Sequence, residues 1–494
     1  GITLLDGRDG SSVGSIPLTT YNYMALADVD SDGAAEIITD DEGVLVLLEA
    51  DGTEVWRDTV RSGPSIAIAD LDGDGDAEIF CGGRALNSSD GSLIFALTES
   101  YLSRDPAIGD LDLDGTQEII YGSAVWDSAG AKLYDLPITL GEGGYWPAIV
   151  QADSDPEPEI ILLRPGNIAI IEHDGVVVSE NTLAGSSGTL SGAPTVADLD
   201  GDGELEIAFY EPRSSTFPRI VAFELDGTPM WSTVGAGLDG SSDPSGVSSF
   251  DFDKDGAYEV VSSTPIGLRI LDGATGTAQY SIGGNWSGIF DQQPIIADVD
   301  GDGSAEVATL ARTSASTGVI VVEQVSSTWP ETDRQWTQFG WAAGNIGPDA
   351  TIPSAPTYWQ DYNVWRGQSP VNRSGVDLRV EITDVCVSSC DSAVGVAAVA
   401  VSVSNYGTQS ATQPVVVSLY RSDAGTLTWL DSQTLAGVNR AEQTASLIFD
   451  LPITDLGSAG LVARVDASQT SPDGTVSECD EANNEDAWAY SVCP

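Results

Sequence analysis

Up to residue 348 the apolar residues fall in short runs, such as Val44-Leu45-Val46-Leu47-Leu48, Ile66-Ala67-Ile68-Ala69 and Ile295-Ile296-Ala297, bounded by turns rich in Asp and Gly. Runs of this length beside turn residues predict strands. They are arranged as two kinds of hairpin. One turns through an acidic loop, and the next turns at Asp-Gly, as in Val44 to Leu48, Glu49-Ala50-Asp51-Gly52 and on to Trp56. Four short strands in every 40 to 50 residues predict one β-propeller blade per repeat. Ile66 to Ala69 and Ile295 to Ala297 are expected innermost, where small and β-branched residues suit a crowded axis. Glu36-Ile37-Ile38, Glu118-Ile119-Ile120 and Glu259-Val260-Val261 then begin second strands.

From Val376 the pattern becomes alternating: Val376 to Ile382, Val394 to Val403, Val415 to Tyr420 and Gly460 to Asp466. Period-two strands at this spacing predict a β-sandwich of about seven strands. The expected organisation is all-β: a propeller over 1–348, a connector over 349–375 rich in Pro and Trp, and a sandwich over 376–494. Five of the 12 Trp, namely Trp329, Trp336, Trp341, Trp359 and Trp365, lie in residues 329 to 366. They read as packing of the connector against a domain, with a sugar-binding platform as the alternative.

The acidic loops carry the candidate chemistry. Asp70-Leu71-Asp72-Gly73-Asp74-Gly75-Asp76-Ala77-Glu78 reads Asp-x-Asp-x-Asp-Gly-x-x-Glu, and seven copies begin at 28, 70, 110, 151, 198, 251 and 298. Six keep four carboxylates: Asp28, Asp30, Asp32 and Glu36; Asp70, Asp72, Asp74 and Glu78; Asp110, Asp112, Asp114 and Glu118; Asp198, Asp200, Asp202 and Glu206; Asp251, Asp253, Asp255 and Glu259; Asp298, Asp300, Asp302 and Glu306. Hard oxygens at positions 1, 3, 5 and 9, with Gly at 6 for a sharp turn, suit Ca²⁺ better than Zn²⁺ or copper. An EF-hand differs in placing its Glu at position 12 between helices. The fourth copy has Gln151 at position 1 and Pro156 at position 6, leaving Asp153, Asp155 and Glu159 as a weak or empty site. Six or seven Ca²⁺ sites are therefore expected.

Seven metal hairpins face eight outer hairpins, because Ile2 to Gly10 resembles the second half of a repeat, as in Leu268 to Gly276. The simplest arrangement has seven blades, with the N-terminal strands joining the last blade and closing the ring. The alternative has eight, the extra blade built from residues 2 to 15 and part of 330 to 348.

The formal charge of −57, from 19 basic and 76 acidic residues, makes nucleic acid and anionic membranes poor partners. The intact loops hold 24 of the acids, so six Ca²⁺ would remove about 12 units of charge. The remaining excess reads as a solvated face. The chain has 41% hydrophobic residues and strict periodicity, which argue against disorder. It has no apolar run long enough to span a membrane as a helix. A start at Gly with no visible signal peptide suggests a processed terminus. Cys386, Cys390, Cys479 and Cys493 cluster late in the chain and read as two disulfides in an oxidising compartment, with three pairings open. Cys81 stands apart and is expected to fill a small buried space.

The loops resemble those of the FG-GAP/VCBS family, the propeller repeats also found in integrin α subunits. That resemblance covers about residues 1 to 348 and implies a Ca²⁺-loaded, mostly extracellular propeller used for adhesion, ligand binding or scaffolding. Ser404-Asn405-Tyr406-Gly407 and Glu478-Cys479-Asp480-Glu481-Ala482-Asn483-Asn484-Glu485 resemble the CARDB type of immunoglobulin-like module.

Nothing in the motifs points to catalysis. His173 is the only His and precedes Asp174-Gly175 at a turn, where an exposed side chain is expected rather than a triad member. The expected function is a secreted, Ca²⁺-stabilised adhesion or scaffold protein of the cell surface or matrix. Its partners would be extracellular proteins, glycans or other copies of itself, and assembly into fibres or layers is a separate hypothesis. The alternative is a glycan-binding lectin or a Ca²⁺-dependent polysaccharide lyase or glycosidase, because a glycosidase needs only two suitably spaced acids.

Overall fold

The structure is a computed structural model that describes residues 1–19, 24–61, 66–97, 105–137, 144–186, 188, 191–211, 219–234, 245–264, 267–283, 293–301, 303–312, 317–324, 329–347, 350–370, 378–387, 396–405, 411, 414–423, 426–438, 445–452, 460–465 and 485–488. The chain divides into two compact units, Gly1–Asp300 with Ser304–Pro370, and Val371–Pro494 with Gly301–Gly303. The described residues are almost entirely β, with one short helix at Tyr358–Asp361.

In the first unit seven antiparallel sheets follow one another over residues 25–61, 66–96, 107–135, 146–182, 195–234, 247–283 and 295–322. Among the described residues the first six have four strands in chain order, and the seventh has three. The first strands are short and rich in small or β-branched residues, such as Ala25–Ala27, Thr195–Ala197 and Ile295–Ala297. They adjoin one another through the first four sheets, and again through the fifth, sixth and seventh, in a propeller-like arrangement. Each sheet is apolar on both faces, so burial requires a neighbour on either side. Ile38, Leu45 and Leu47 of the first sheet pack on Ile66, Ile79 and Leu86 of the second. Phe80 of the second meets Tyr121 of the third, and Phe250 of the sixth meets Ile296 and Val307 of the seventh.

The outer strands are stapled by a second repeated device. An aromatic side chain on the last strand of one sheet covers a turn glycine of the next. Trp56 lies so close to Gly91 (φ 69°) that a Cβ there would come within 2.7 Å of the indole. Phe95 stands in the same way over Gly130, Tyr134 over Gly175 and Trp231 over Gly276.

The N-terminal strands Ile2–Leu5 and Ser12–Ile16 form a two-stranded sheet of their own, not a fourth strand of the seventh sheet. This departs from the expected ring closure. Their apolar side chains explain it: Ile2 and Ile16 pack face-on against Ile37, Val46 and Leu48 of the first sheet. Ile16 also covers Gly52 as Trp56 covers Gly91. On the opposite side Gly7 abuts the carbonyl of Val299 in the seventh loop, just as Gly273 abuts that of Leu199 in the fifth.

Residues 329–347 and 350–370, rich in Trp and Pro, belong to this first unit. They hydrogen-bond at or beside the first strand of every sheet. Leu26 donates to Thr337 O (2.9 Å), Ile68 to Gln338 Oε1 (3.1 Å), Gln151 to Asn363 Oδ1 (2.8 Å) and Asp298 to Asp333 O (3.0 Å). Val196 and Trp365 exchange backbone bonds of 3.0 and 2.9 Å, and Gln368 donates to Ser249 O at 2.9 Å. The third sheet is reached by Arg366, whose Nη2 donates to Asp105 Oδ2 at 2.9 Å with both side chains fully buried. The guanidinium lies 5.1 Å from the Trp146 ring centre and 5.2 Å from that of Phe339. Trp341, Trp359 and Trp365 are at most 1% exposed, so they are packing residues and not an open sugar platform.

In the second unit a three-stranded sheet (Leu378–Val387, Val396–Asn405, Ala445–Pro452) and a four-stranded sheet (Val415–Asp423, Thr426–Leu435, Gly460–Val465, Glu485–Trp488) share one core. Alternation is explicit: Leu378, Val380 and Ile382 point inward, as do Val399, Val401 and Val403. Cys81 is buried in the second sheet, as expected. Cys390, Cys479, Cys493 and the side chain of Cys386 lie outside the described residues.

Removing one partner of a buried ion pair leaves an uncompensated charge. Arg366→Ala is therefore expected to destabilise the first unit by about 3–5 kcal/mol, read as a lower denaturant midpoint for its intrinsic Trp fluorescence. A change below 1 kcal/mol would refute the pair's role.

Candidate metal centres

Each acidic loop joins the first strand of its sheet to the second, and the last loop residue opens that second strand in all seven: Glu36, Glu78, Glu118, Glu159, Glu206, Glu259 and Glu306. The ladder thus fixes position 9. One oxygen of this Glu accepts the N–H of loop position 2 at 2.7–2.9 Å in six loops, from Val29, Leu71, Leu111, Leu199, Phe252 and Val299. Ala152 does the same in the fourth. The other oxygen is buried and has no hydrogen-bond partner in Glu36, Glu159 and Glu206. A buried carboxylate oxygen left in this way is costly unless a cation or proton meets it.

Position 1 is the second anchor. Asp28, Asp70, Asp110, Asp251 and Asp298 are at most 7% exposed. The N–H of position 6 donates to the position 1 carboxylate at 3.0–3.1 Å in the loops of Asp28, Asp70, Asp110, Asp198 and Asp251. That bond needs a left-handed residue at position 6, and Gly33, Gly75, Gly115, Gly203, Gly256 and Gly303 have φ of 90–96°. Position 5 carboxylates turn back to the N–H of position 7, as Asp32 does to Ala34 and Asp255 to Ala257, both at 2.9 Å.

These constraints bring the carboxylates together. Oxygens of Asp28, Asp30 and Asp32 lie within 4.8 Å of one another, as do those of Asp70, Asp72 and Glu78, of Asp110, Asp112 and Glu118, and of Asp198, Asp200 and Glu206. In the sixth loop Asp251 and Glu259 hold the same bonds as their counterparts, with Asp253 between them in sequence. The seventh places Asp298 beside Arg334, 3.5 Å from its Nε, and Asp302 lies outside the described residues. In the fourth, Asp153 and Glu159 meet, while Asp155 is exposed. All-oxygen donors with one unpartnered buried oxygen fit a Ca²⁺-type cation.

The electrostatics agree. Burial, reinforced by the loop carboxylates nearby, pushes Glu36, Glu78 and Glu159 up to about 7, and Glu118, Glu206 and Glu259 up to about 8, against the opposing pull of the position 2 N–H. Burial also raises Asp28, Asp72, Asp110 and Asp251.

One set of residues escaped the sequence reading. Strand register puts the residue ending each third strand opposite the loop Glu: Asn87 opposite Glu78 and Glu224 opposite Glu206, with Glu49, Asp127, Glu172, Asp272 and Glu323 at the corresponding places. All seven carry a side-chain oxygen. The sequence signal was a polar residue closing each apolar run of the third strand. His173, expected to be exposed, is half-buried, because Tyr134 packs on the following turn and donates to its carbonyl at 2.6 Å.

No protein-family model matches the chain, and no curated protein matches it. Among solved structures, the Vibrio cholerae biofilm matrix protein Bap1 is similar over 75% of this chain and 89% of its own, at 18% identity and a TM-score of 0.59. That likeness bears on fold alone. A Bacillus licheniformis rhamnogalacturonan lyase is 16% identical over 75% of this chain and 80% of its own, with a TM-score of 0.41. A Pyrococcus furiosus CARDB domain, solved with two metal ions, is 25% identical over 25% of this chain and 93% of its own, with a TM-score of 0.19.

Two outcomes follow from the loop geometry. Asp72→Asn is expected to lower the melting temperature only in Ca²⁺, because a site at tenfold excess of free ion adds about 1.4 kcal/mol; an equal drop in chelator would refute the metal role. In chelator, Glu residues held at about 7 to 8 against an ordinary 4.5 bind more protons folded than unfolded. Their contribution is present below pH 4.5 and lost as pH rises through 8, so thermal stability of the ion-free protein falls from pH 5 to 8. Ca²⁺ binds the ionised form, so its affinity rises over the same range. Calorimetric titration giving a pH-independent affinity would contradict this.

Proposed function

We propose that the protein is a secreted, Ca²⁺-stabilised scaffold or adhesion protein of the cell surface or extracellular matrix. The observation that carries this reading is the sevenfold recurrence of one buried carboxylate geometry. Each loop folds its own negative charge into the base of a sheet, and a bound cation offsets the repulsion. Loops of this kind bind extracellular Ca²⁺ with dissociation constants of ~10⁻⁴ to 10⁻³ M, so the array suits surroundings rich in that ion.

For the first unit we infer a propeller ring with eight positions rather than seven. Seven carry metal loops. The hairpin Ile2–Ile16 takes the outer part of the eighth, since it covers Gly52 on one side and abuts Val299 on the other as neighbouring sheets do. Residues 330–347 and Ala350 supply its inner part, bonded to Asp298 and Ala305 of the seventh sheet and to Leu26 and Asp28 of the first. The second unit reads as an immunoglobulin-like sandwich of CARDB type.

A catalytic reading has less support. A cleft of about 460 Å³ beside the fourth and fifth sheets is lined by Asp153, Glu159, Glu204, Glu224 and Asp226, and no Arg or Lys is among its lining residues. Binding of neutral or cation-bridged glycans suits that chemistry better than eliminative cleavage of an anionic polymer.

Light scattering after size exclusion, in millimolar Ca²⁺ and in chelator, with glycan binding and cleavage assayed on the same samples, tests the proposal. The expected result is Ca²⁺-dependent compaction or ordered assembly, with glycans left intact. Polysaccharide cleavage that needs Ca²⁺ would overturn it in favour of a lyase.

A further inference from the structure

The fourth loop lacks the position 1 Asp and the position 6 Gly, yet it is built as carefully as the others. Gln151 takes over the closing bonds without charge. Its Oε1 accepts the N–H of Asp153 at 3.0 Å, and its Nε2 donates to the carbonyls of Asp155 and, at 3.1 Å, Glu157. Asn363 of the 350–370 stretch clamps the Gln151 backbone, accepting its N–H and donating to its carbonyl, both at 2.8 Å. Pro156 cannot take the positive φ that position 6 adopts elsewhere, so the loop is shut by the amide instead of by backbone N–H groups turned onto a carboxylate.

A further carboxylate nevertheless joins Asp153 and Glu159, and it comes from a different strand. Register pairs Ile160 with Ile171, which sets Glu172 opposite Glu159. Oxygens of Asp153, Glu159 and Glu172 lie within 4.8 Å of one another. In the first, second, third and fifth loops the corresponding groups are drawn wholly from the loop itself. Two further facts point to a ligand. Glu159, at 1% exposure, keeps Oε1 buried without a hydrogen-bond partner, although its Oε2 is occupied by the Ala152 N–H. Oε2 of Glu172 is buried and unpartnered as well. Two such oxygens beside a third carboxylate form an anionic pocket of hard donors, with no Arg or Lys among the described residues lining the cleft there.

We propose that the fourth loop binds a divalent cation of the Ca²⁺ type through Asp153, Glu159 and Glu172, with Glu172 supplying a ligand from the third strand. Substitution at Gln151 and Pro156 then marks a rebuilt site, not an empty one. This inference rests on the Ca²⁺ reading of the other loops and adds one ion to it.

The test counts ions bound to the full chain by native mass spectrometry in Ca²⁺, for wild type, Glu172→Gln, Asp153→Asn and the double variant. Circular dichroism in chelator checks that all four are folded. Each single variant is expected to carry one ion fewer than wild type, and the double variant no fewer than either single one. If Glu172→Gln binds as many ions as wild type, the fourth site is refuted while the other six stand. If wild type itself binds no Ca²⁺, this inference and the proposed function both fail. Because Gln preserves the size of Glu, loss of folding is not expected; should it occur, Asp153→Asn alone decides by the same count.

Discussion

Burial of the loop glutamates is the constraint on which the rest depends. Glu36, Glu78, Glu118, Glu159, Glu206, Glu259 and Glu306 each open a fully packed strand, so their carboxylates are inside the protein before any ion is considered. A single N–H to one oxygen offsets only part of the desolvation. Either a proton or a cation must supply the remainder. This makes the loops part of the stability of their sheets, because the same residue serves ladder and cage.

The sheets in turn cannot stand alone. A four-stranded meander with Ile and Val on both faces exposes too much apolar surface unless neighbours cover it, which is why repeats of this size are stable only as arrays. The turn glycines show how closely neighbours approach. At Gly91, Gly130, Gly175 and Gly276 an aromatic ring from the preceding sheet occupies the space of a Cβ. The metal loops, by contrast, are internal to each sheet. Cation binding therefore rigidifies individual hairpins, while packing between sheets sets their order.

A third layer of organisation comes from residues 329–370. This segment bonds at or beside the first strand of all seven sheets, burying Trp341, Trp359, Trp365 and the Arg366–Asp105 pair. It also reaches into the loops: Ser354 bonds Asp70, Arg334 pairs with Asp298 and Asn363 clamps Gln151. Loops that look equivalent in sequence, such as the second and the seventh, thus differ in their surroundings.

The sequence by itself determined the elements and their chemistry, because both follow from local rules. Period-two runs, Asp-Gly turns and Gly at loop position 6 act through backbone sterics within a few residues, so Glu36, Glu118 and Glu259 could be placed at the start of second strands. The alternation from Leu378 to Ile382 likewise gave a strand with one buried face. Only the tertiary structure decided what depends on contacts between distant residues. Glu172 became a neighbour of Asp153 and Glu159 through strand register, which no spacing in the chain records. Ile2 and Ile16 chose the face of the first sheet over the edge of the seventh because burying apolar side chains there outweighs extending a ladder. The Trp residues of the Pro-rich stretch read as packing against a domain, but only the structure shows that the stretch bonds at or beside every sheet of the first unit, since Pro content reports local stiffness and says nothing of which distant strands a segment meets.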